Sequence, residues 1–149
     1  DIPAVMRLIN QAKAYMKEQG IDQWQDGYPN EASIANDIAH DYSYVMEEKG
    51  KVIGTMAVLF DGEPTYDQIY DGAWKTSEEP YAAIHRVAVD AECKGQGIAG
   101  AMIEEVVKMC QEKGIRSIKN DTHKDNKSMQ RMQAKKMQLM HLYINRLQR

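Results

Sequence analysis

Apolar residues recur at helical spacing over Ile2, Val5, Met6, Ile9, Ala12 and Met16. Asp1 or Pro3 is placed to start that helix and Gly20 to end it. Residues 21–29 lose the periodicity, carry Trp24 and Tyr28, and read as a loop. A second short helix is expected from Glu31 to Ala39. Tyr44 to Glu47 and Lys51 to Phe60 read as strands around a turn at Gly50, the second rich in β-branched residues. They are expected to pair as an antiparallel hairpin. Asp61 to Pro80 is a long polar and aromatic insertion, a kind of segment that usually carries function. Tyr81 to Val89 is a further strand. Ile98, Ala101, Met102, Val106, Met109 and Cys110 then form one helix face, which Gly114 closes. Ile115 to Lys119 is the next strand, parallel to the previous one because a helix joins the two. Ser128 to Lys136 is expected to be a last helix and Leu139 to Ile144 a short last strand.

Composition narrows the class without naming a ligand. The 149 residues suit a single domain, 1–149, with one core, and 43% hydrophobic with 28% charged residues is ordinary for a globular chain. A net charge of −3 with scattered Lys and Arg argues against nucleic acid as a partner. No apolar run reaches the roughly 18 residues of a membrane span, so no membrane partner is expected. Cys93 and Cys110 lack metal-site spacing and fit two free thiols in a reducing, cytoplasmic compartment. No metal is expected; Asp121-x-His123-x-Asp125 is too short a set to hold one.

The chemistry concentrates between Ile84 and Gly100. A strand passes through the polar stretch Asp90 to Lys94 into Gly95-Gln96-Gly97-Ile98-Ala99-Gly100, and a helix opens there. Glycines let the backbone turn tightly and leave N–H groups uncovered. The first N–H groups of a helix lack internal acceptors and lie at its partly positive end. Together they suit a phosphate or pyrophosphate. The six residues also match the dinucleotide fingerprint G-x-G-x-x-G, with Asp121 about 20 residues on, which opens a nicotinamide-dependent oxidoreductase reading. Against it stand the residues between strand and turn, the antiparallel pattern before it, and the short remainder after Asp121. A glycine turn with no ligand is a further alternative, although it needs neither a second glycine nor Lys94.

In these motifs the chain resembles the GNAT superfamily of N-acetyltransferases. Lys94-Gly95-Gln96-Gly97-Ile98-Ala99 is similar to that family's Arg/Gln-x-x-Gly-x-Gly/Ala turn, with Lys in the first place. His85-Arg86-Val87-Ala88-Val89 resembles the strand before it, and Asn126 to Met132 the Asn-led helix further on. The resemblance covers most of Pro3 to Met132. It implies an α/β (α+β) fold: a mixed, mostly antiparallel central sheet with a splayed parallel strand pair and flanking helices. It implies acetyl-CoA as acyl donor and a primary amine of a small molecule or peptide as acceptor. The pyrophosphate would sit on N–H groups from Gln96 to Gly100, with Lys94, Gly95, Gly97, Ile98 and Ala99 in the turn and Asn126 on the cofactor arm. Val87 and Val89 would offer backbone groups to the pantetheine, with the Val89 N–H facing the thioester carbonyl.

The sequence departs from that pattern at both ends. The family's first strand has no counterpart, and its C-terminal strands are shortened, so a partner copy closing that end would make a homodimer. The Tyr that protonates the leaving thiolate in the family is replaced by Gln133, and Met137-Gln138 stands where Gly-Phe is usual. This keeps a second function open, a catalytically weak CoA-binding sensor. Asp121, at a strand end, and His123 are the candidate proton acceptors, against the plainer roles of satisfying loop N–H groups and facing solvent. Trp24, Tyr28, Tyr66, Trp74 and Tyr81 are candidates to line an acceptor pocket, against ordinary packing.

Overall fold

The computed structural model describes residues 2–61, 80–120 and 131, together with the backbone of 121–122 and 143–148. Their elements run α1 (Ile2–Glu18), α2 (Glu31–Ala39), β1 (Ser43–Glu48), β2 (Lys51–Leu59), β3 (Tyr81–Val89), a 3-10 turn (Ala91–Cys93), α3 (Ile98–Glu112), β4 (Ser117–Thr122) and β5 (Tyr143–Gln148). The strands form one mixed sheet in chain order. The chain gathers into two compact units, one of Asp1–Ala57 with Arg86–Met102, the other of Val58–His85 with Ile103–Arg149.

The first unit carries α1, α2 and the β1–β2 hairpin. Val5, Leu8 and Ile9 recur every three or four residues on α1 and are buried with Ile34 of α2, Val52 of β2 and Ala88 of β3. The end of α1 is fixed by its backbone: Ile21 N–H donates to Met16 O and Gly20 N–H to Lys17 O, the paired bonds of a Schellman cap. Asn30 starts α2 with a capping box, its Oδ1 accepting from Ser33 N at 2.9 Å while Ser33 Oγ accepts from Asn30 N. β1 and β2 are antiparallel, from Ser43 opposite Ala57 to Glu48 opposite Lys51, with a bulge between Met46 and Glu47. Every residue of β2 from Val52 to Leu59 is buried.

The second unit holds the parallel pairs. β3 lies beside β4 from Tyr81 opposite Ser117 to Ile84 opposite Asn120. β4 continues beside β5 to Thr122 opposite Gln148. A second Schellman cap ends α3, with Ile115 N–H on Cys110 O and Gly114 N–H on Gln111 O. That cap holds Ile115 to the helix, so β4 begins at Ser117 rather than Ile115. The last strand lies over Tyr143–Gln148, later than the apolar cluster from Leu139 suggests. The expected last helix falls outside the described residues, apart from Arg131, which is helical.

Candidate functional site

The glycine turn is built from its base upward. Asp90 ends β3 and reads as a loop residue, yet it is fully buried. Its carboxylate accepts from Arg7 Nη1 of α1 at 2.8 Å, lies 3.4 Å from Lys51 Nζ of β2, and accepts from Glu92 N at 3.0 Å. Its backbone N–H donates to Ile53 O and its carbonyl accepts from Cys93 N–H. The Arg7 hydrogen bond, with that of Glu92 N–H, outweighs burial and lowers the Asp90 pKa to about 2. Arg7 also donates to Val52 O at 2.8 Å, and Gln11 Oε1 accepts from Ala91 N at 3.0 Å. The 3-10 turn is thus held to α1 and β2 by side chains from outside it. Lys51 reaches Glu92 as well, and its pKa is raised by the hydrogen bond to Glu92 and by the charge of Asp90.

Above this base the chain opens to solvent. Lys94, Gly95, Gln96 and Gly97 are exposed. Gly95 and Gly97 take φ of +81° and +75°, a region that side chains rarely enter, and a Cβ built on either meets nothing within 4 Å. Gln96 N–H donates to Cys93 O at 3.3 Å, so this donor closes the turn instead of facing outward. The first helical bond of α3 runs from Ala101 N–H to Gly97 O. Gly97 is therefore the N-cap, and the N–H groups of Ile98, Ala99 and Gly100 have no acceptor within the helix. Gly54 of β2 sits under this first turn: a Cβ there would lie 2.5 Å from Met102 Sδ and 3.4 Å from Ile98 Cγ2. The Lys94 ammonium rests over the Tyr15 ring, 3.4 Å from its centroid.

A second cluster surrounds Arg86. This residue lies inside β3, yet its φ is +53°. Its Nε and Nη2 each donate to the Asp37 carboxylate of α2 at 2.6 Å, and its Nη1 donates to Tyr28 Oη at 2.6 Å. The Asp37 and Arg86 side chains are 4% and 14% exposed, so this is a buried two-toothed pair. Burial disfavours the Arg86 charge, but hydrogen bonding to Asp37 offsets it and the pKa is raised. Sequence reasoning missed Asp37 and Arg86, although each stands as a lone charge among apolar residues, on the face of α2 with Ile34 and within β3.

Three of the expected pocket aromatics have described partners. Trp24 packs against the core of the first unit, and Tyr28 binds Arg86. Tyr81 lies in the other unit, its ring 4.0 Å from Lys119 Nζ. Val87 and Val89 are half-buried on β3 beside Arg86. Asp121 sits near the end of β4, opposite Leu147 in register. Tyr66, Trp74, His123, Asn126 and Gln133 lie outside the described residues. Among the described residues no group of three or more His, Cys, Asp or Glu is placed to hold a metal. No described helix is long and apolar enough to cross a membrane.

The sequence profile of the acetyltransferase (GNAT) family matches residues 10–137. The chain belongs to the GNAT acetyltransferase family. It is similar to a GNAT-family acetyltransferase from Streptococcus agalactiae 2603, at 33% identity and a TM-score of 0.81 over 90% of this chain and 77% of that one. A second similar structure, an acetyltransferase from Staphylococcus aureus MU50, gives 30% identity and a TM-score of 0.62 over 79% and 71%. An acetyltransferase from Clostridium acetobutylicum, solved with acetyl-CoA, shares the fold at 20% identity and a TM-score of 0.51 over 80% and 75%. No curated protein sequence matches the chain. The mixed sheet with an antiparallel hairpin, a parallel strand pair and flanking helices is the fold of this family.

Proposed function

We propose that the chain is an N-acetyltransferase that moves an acetyl group from acetyl-CoA to a primary amine of a small molecule or peptide. The observation that carries this is the Gly97-capped end of α3. Three backbone donors, Ile98 to Gly100, have no acceptor within the helix there, four residues past Lys94 at the nearest, in a chain of the GNAT family. The open space at Gly95 and Gly97 fits a bulky anion lying close against the backbone. Acetyl-CoA supplies an activated thioester when bound. Lys94 adds a point charge at the diphosphate, which a single ammonium contacts without the fork of an arginine.

The backbone of Val87 and Val89 aligns the pantetheine, and the Val89 N–H donates toward the thioester oxygen as negative charge grows on it. Asp121 and His123 are the residues to take the proton from the incoming amine. With Gln133 in place of the tyrosine, proton delivery to the departing thiolate falls to solvent, and turnover is modest. Any homodimer would form through the C-terminal part. Calorimetric titration with acetyl-CoA and with NAD tests the ligand. Thiol release across a panel of amines then tests turnover. Heat with NAD and none with acetyl-CoA overturns the reading; binding without thiol release makes the chain a CoA sensor.

A further inference from the structure

Arg86 is held in a conformation that a non-glycine residue adopts rarely. A left-handed φ of +53° in a strand is strained for a non-glycine residue and persists where neighbouring groups hold it in place. The Arg86 guanidinium is gripped by both Asp37 oxygens and the Tyr28 hydroxyl, each at 2.6 Å. The twist falls two residues past Ile84, where the register of β3 with β4 ends. It falls one residue before Val87. A change of backbone region at Arg86 re-aims the N–H and C=O groups that follow it.

We infer that Asp37, acting through Arg86, is a positioning residue for acetyl transfer. The buried Asp37 carboxylate locks the Arg86 twist, and the twist aims the Val89 N–H at the thioester carbonyl. This rests on the acetyl-CoA reading above. Tyr28 extends the lock to the loop between α1 and α2, so the position of that loop and the aim of β3 are set by one guanidinium. The anion-binding turn is held separately, by Arg7 and Gln11. Cofactor affinity and carbonyl polarisation therefore respond to different residues. A role confined to general stability moves both together or neither.

The test uses the full chain with acetyl-CoA carrying a carbon-13 label at the acetyl carbonyl. Calorimetry reads affinity, and isotope-edited infrared spectroscopy reads the carbonyl stretch, which falls in frequency as a donor polarises it. Asp37→Asn keeps the shape and removes the charge-assisted fork. It is expected to keep acetyl-CoA affinity within about threefold of wild type while losing about half or more of the red shift. Adding Arg86→Gly to Asp37→Asn is expected to restore part of that shift, because glycine takes a positive φ at little cost. Arg86→Lys, which keeps the charge and loses the fork, gives the same comparison if Asp37→Asn fails to fold. A folded variant with the wild-type red shift overturns the positioning role and leaves the acetyl-CoA reading standing. Wild-type binding with no red shift also overturns it. No wild-type heat with acetyl-CoA overturns the underlying reading, and this role with it.

Discussion

Arg7 of α1 and Asp90 at the end of β3 meet at 2.8 Å, 83 residues apart in sequence, with the carboxylate 1% exposed. The pair joins the first helix to the base of the glycine turn. Asp90→Ala strands the Arg7 charge and the Glu92 N–H, so a loss of about 2–4 kcal/mol in urea unfolding is expected. Glu92→Gln, at a side chain 80% exposed, is expected to change stability by less than about 0.5 kcal/mol.

The same carboxylate sets an acid limit. The Asp90 pKa is lowered from 3.8 to about 2 in the folded chain. Its contribution is complete well above the unfolded value of 3.8 and is lost as the pH falls through about 2. Wild type minus Asp90→Asn stability, followed from pH 5 to pH 2, should shrink by about 1–2 kcal/mol. A difference that stays flat over that range contradicts the assignment.

Gly97→Glu should abolish acetyl-CoA binding in a chain that still folds. A Cβ there meets nothing within 4 Å, but the φ of +75° strains any side chain, so Gly97→Ala serves as the control that separates backbone strain from the added charge. The added carboxylate places negative charge where the diphosphate belongs. Circular dichroism checks the fold and calorimetry the loss; retained affinity would place the ligand elsewhere.

The Lys94 ammonium rests on the Tyr15 ring, and an exposed cation–π contact is worth only about 0.5–1 kcal/mol, too little to keep it from a phosphate. Lys94→Ala is expected to weaken acetyl-CoA by about 1 kcal/mol, roughly fivefold, with the deficit narrowing at about 0.5 M salt. Tyr15→Leu, which frees the ammonium beforehand, should leave affinity unchanged or slightly higher.

The two thiols should separate cleanly. Cys110 is buried, and burial pushes its pKa up to about 11, so it labels with maleimide on unfolding. Cys93 is part-exposed in the 3-10 turn and should label in the native state. Bound acetyl-CoA should slow that labelling, because Cys93 adjoins Lys94. Equal rates at both thiols would contradict the packing of α3.

Much of this fold is legible because its apolar pattern is local. The α2 bounds and the β3 bounds follow from sequence, as do the closures of α1 and α3 at Gly20 and Gly114. The glycine turn is legible for the same reason: its backbone demands particular residues in consecutive positions. What escaped depends on partners far away in the chain. Asp90 reads as a polar loop residue because Arg7 and Lys51, which bury it, are distant in sequence. Arg86 reads as a strand residue because its twist is imposed by Asp37, 49 positions earlier. The packing of Trp24 on the core and the bond of Tyr28 to Arg86 are not legible either, since both rest on partners distant in sequence.

The clasp between α1 and the 3-10 turn sets an order of events during synthesis. Contacts across 83 and 80 positions, Arg7 with Asp90 and Gln11 with Ala91, form only after Asp90 and Ala91 have left the ribosome. At about 5–20 residues per second, α1 waits roughly 4–17 s for its partners. The helix can nucleate early from its own periodicity, but the base of the glycine turn cannot. A nascent chain stalled before Asp90 would therefore carry an Arg7 that reaches Val52 O but still lacks its carboxylate partner.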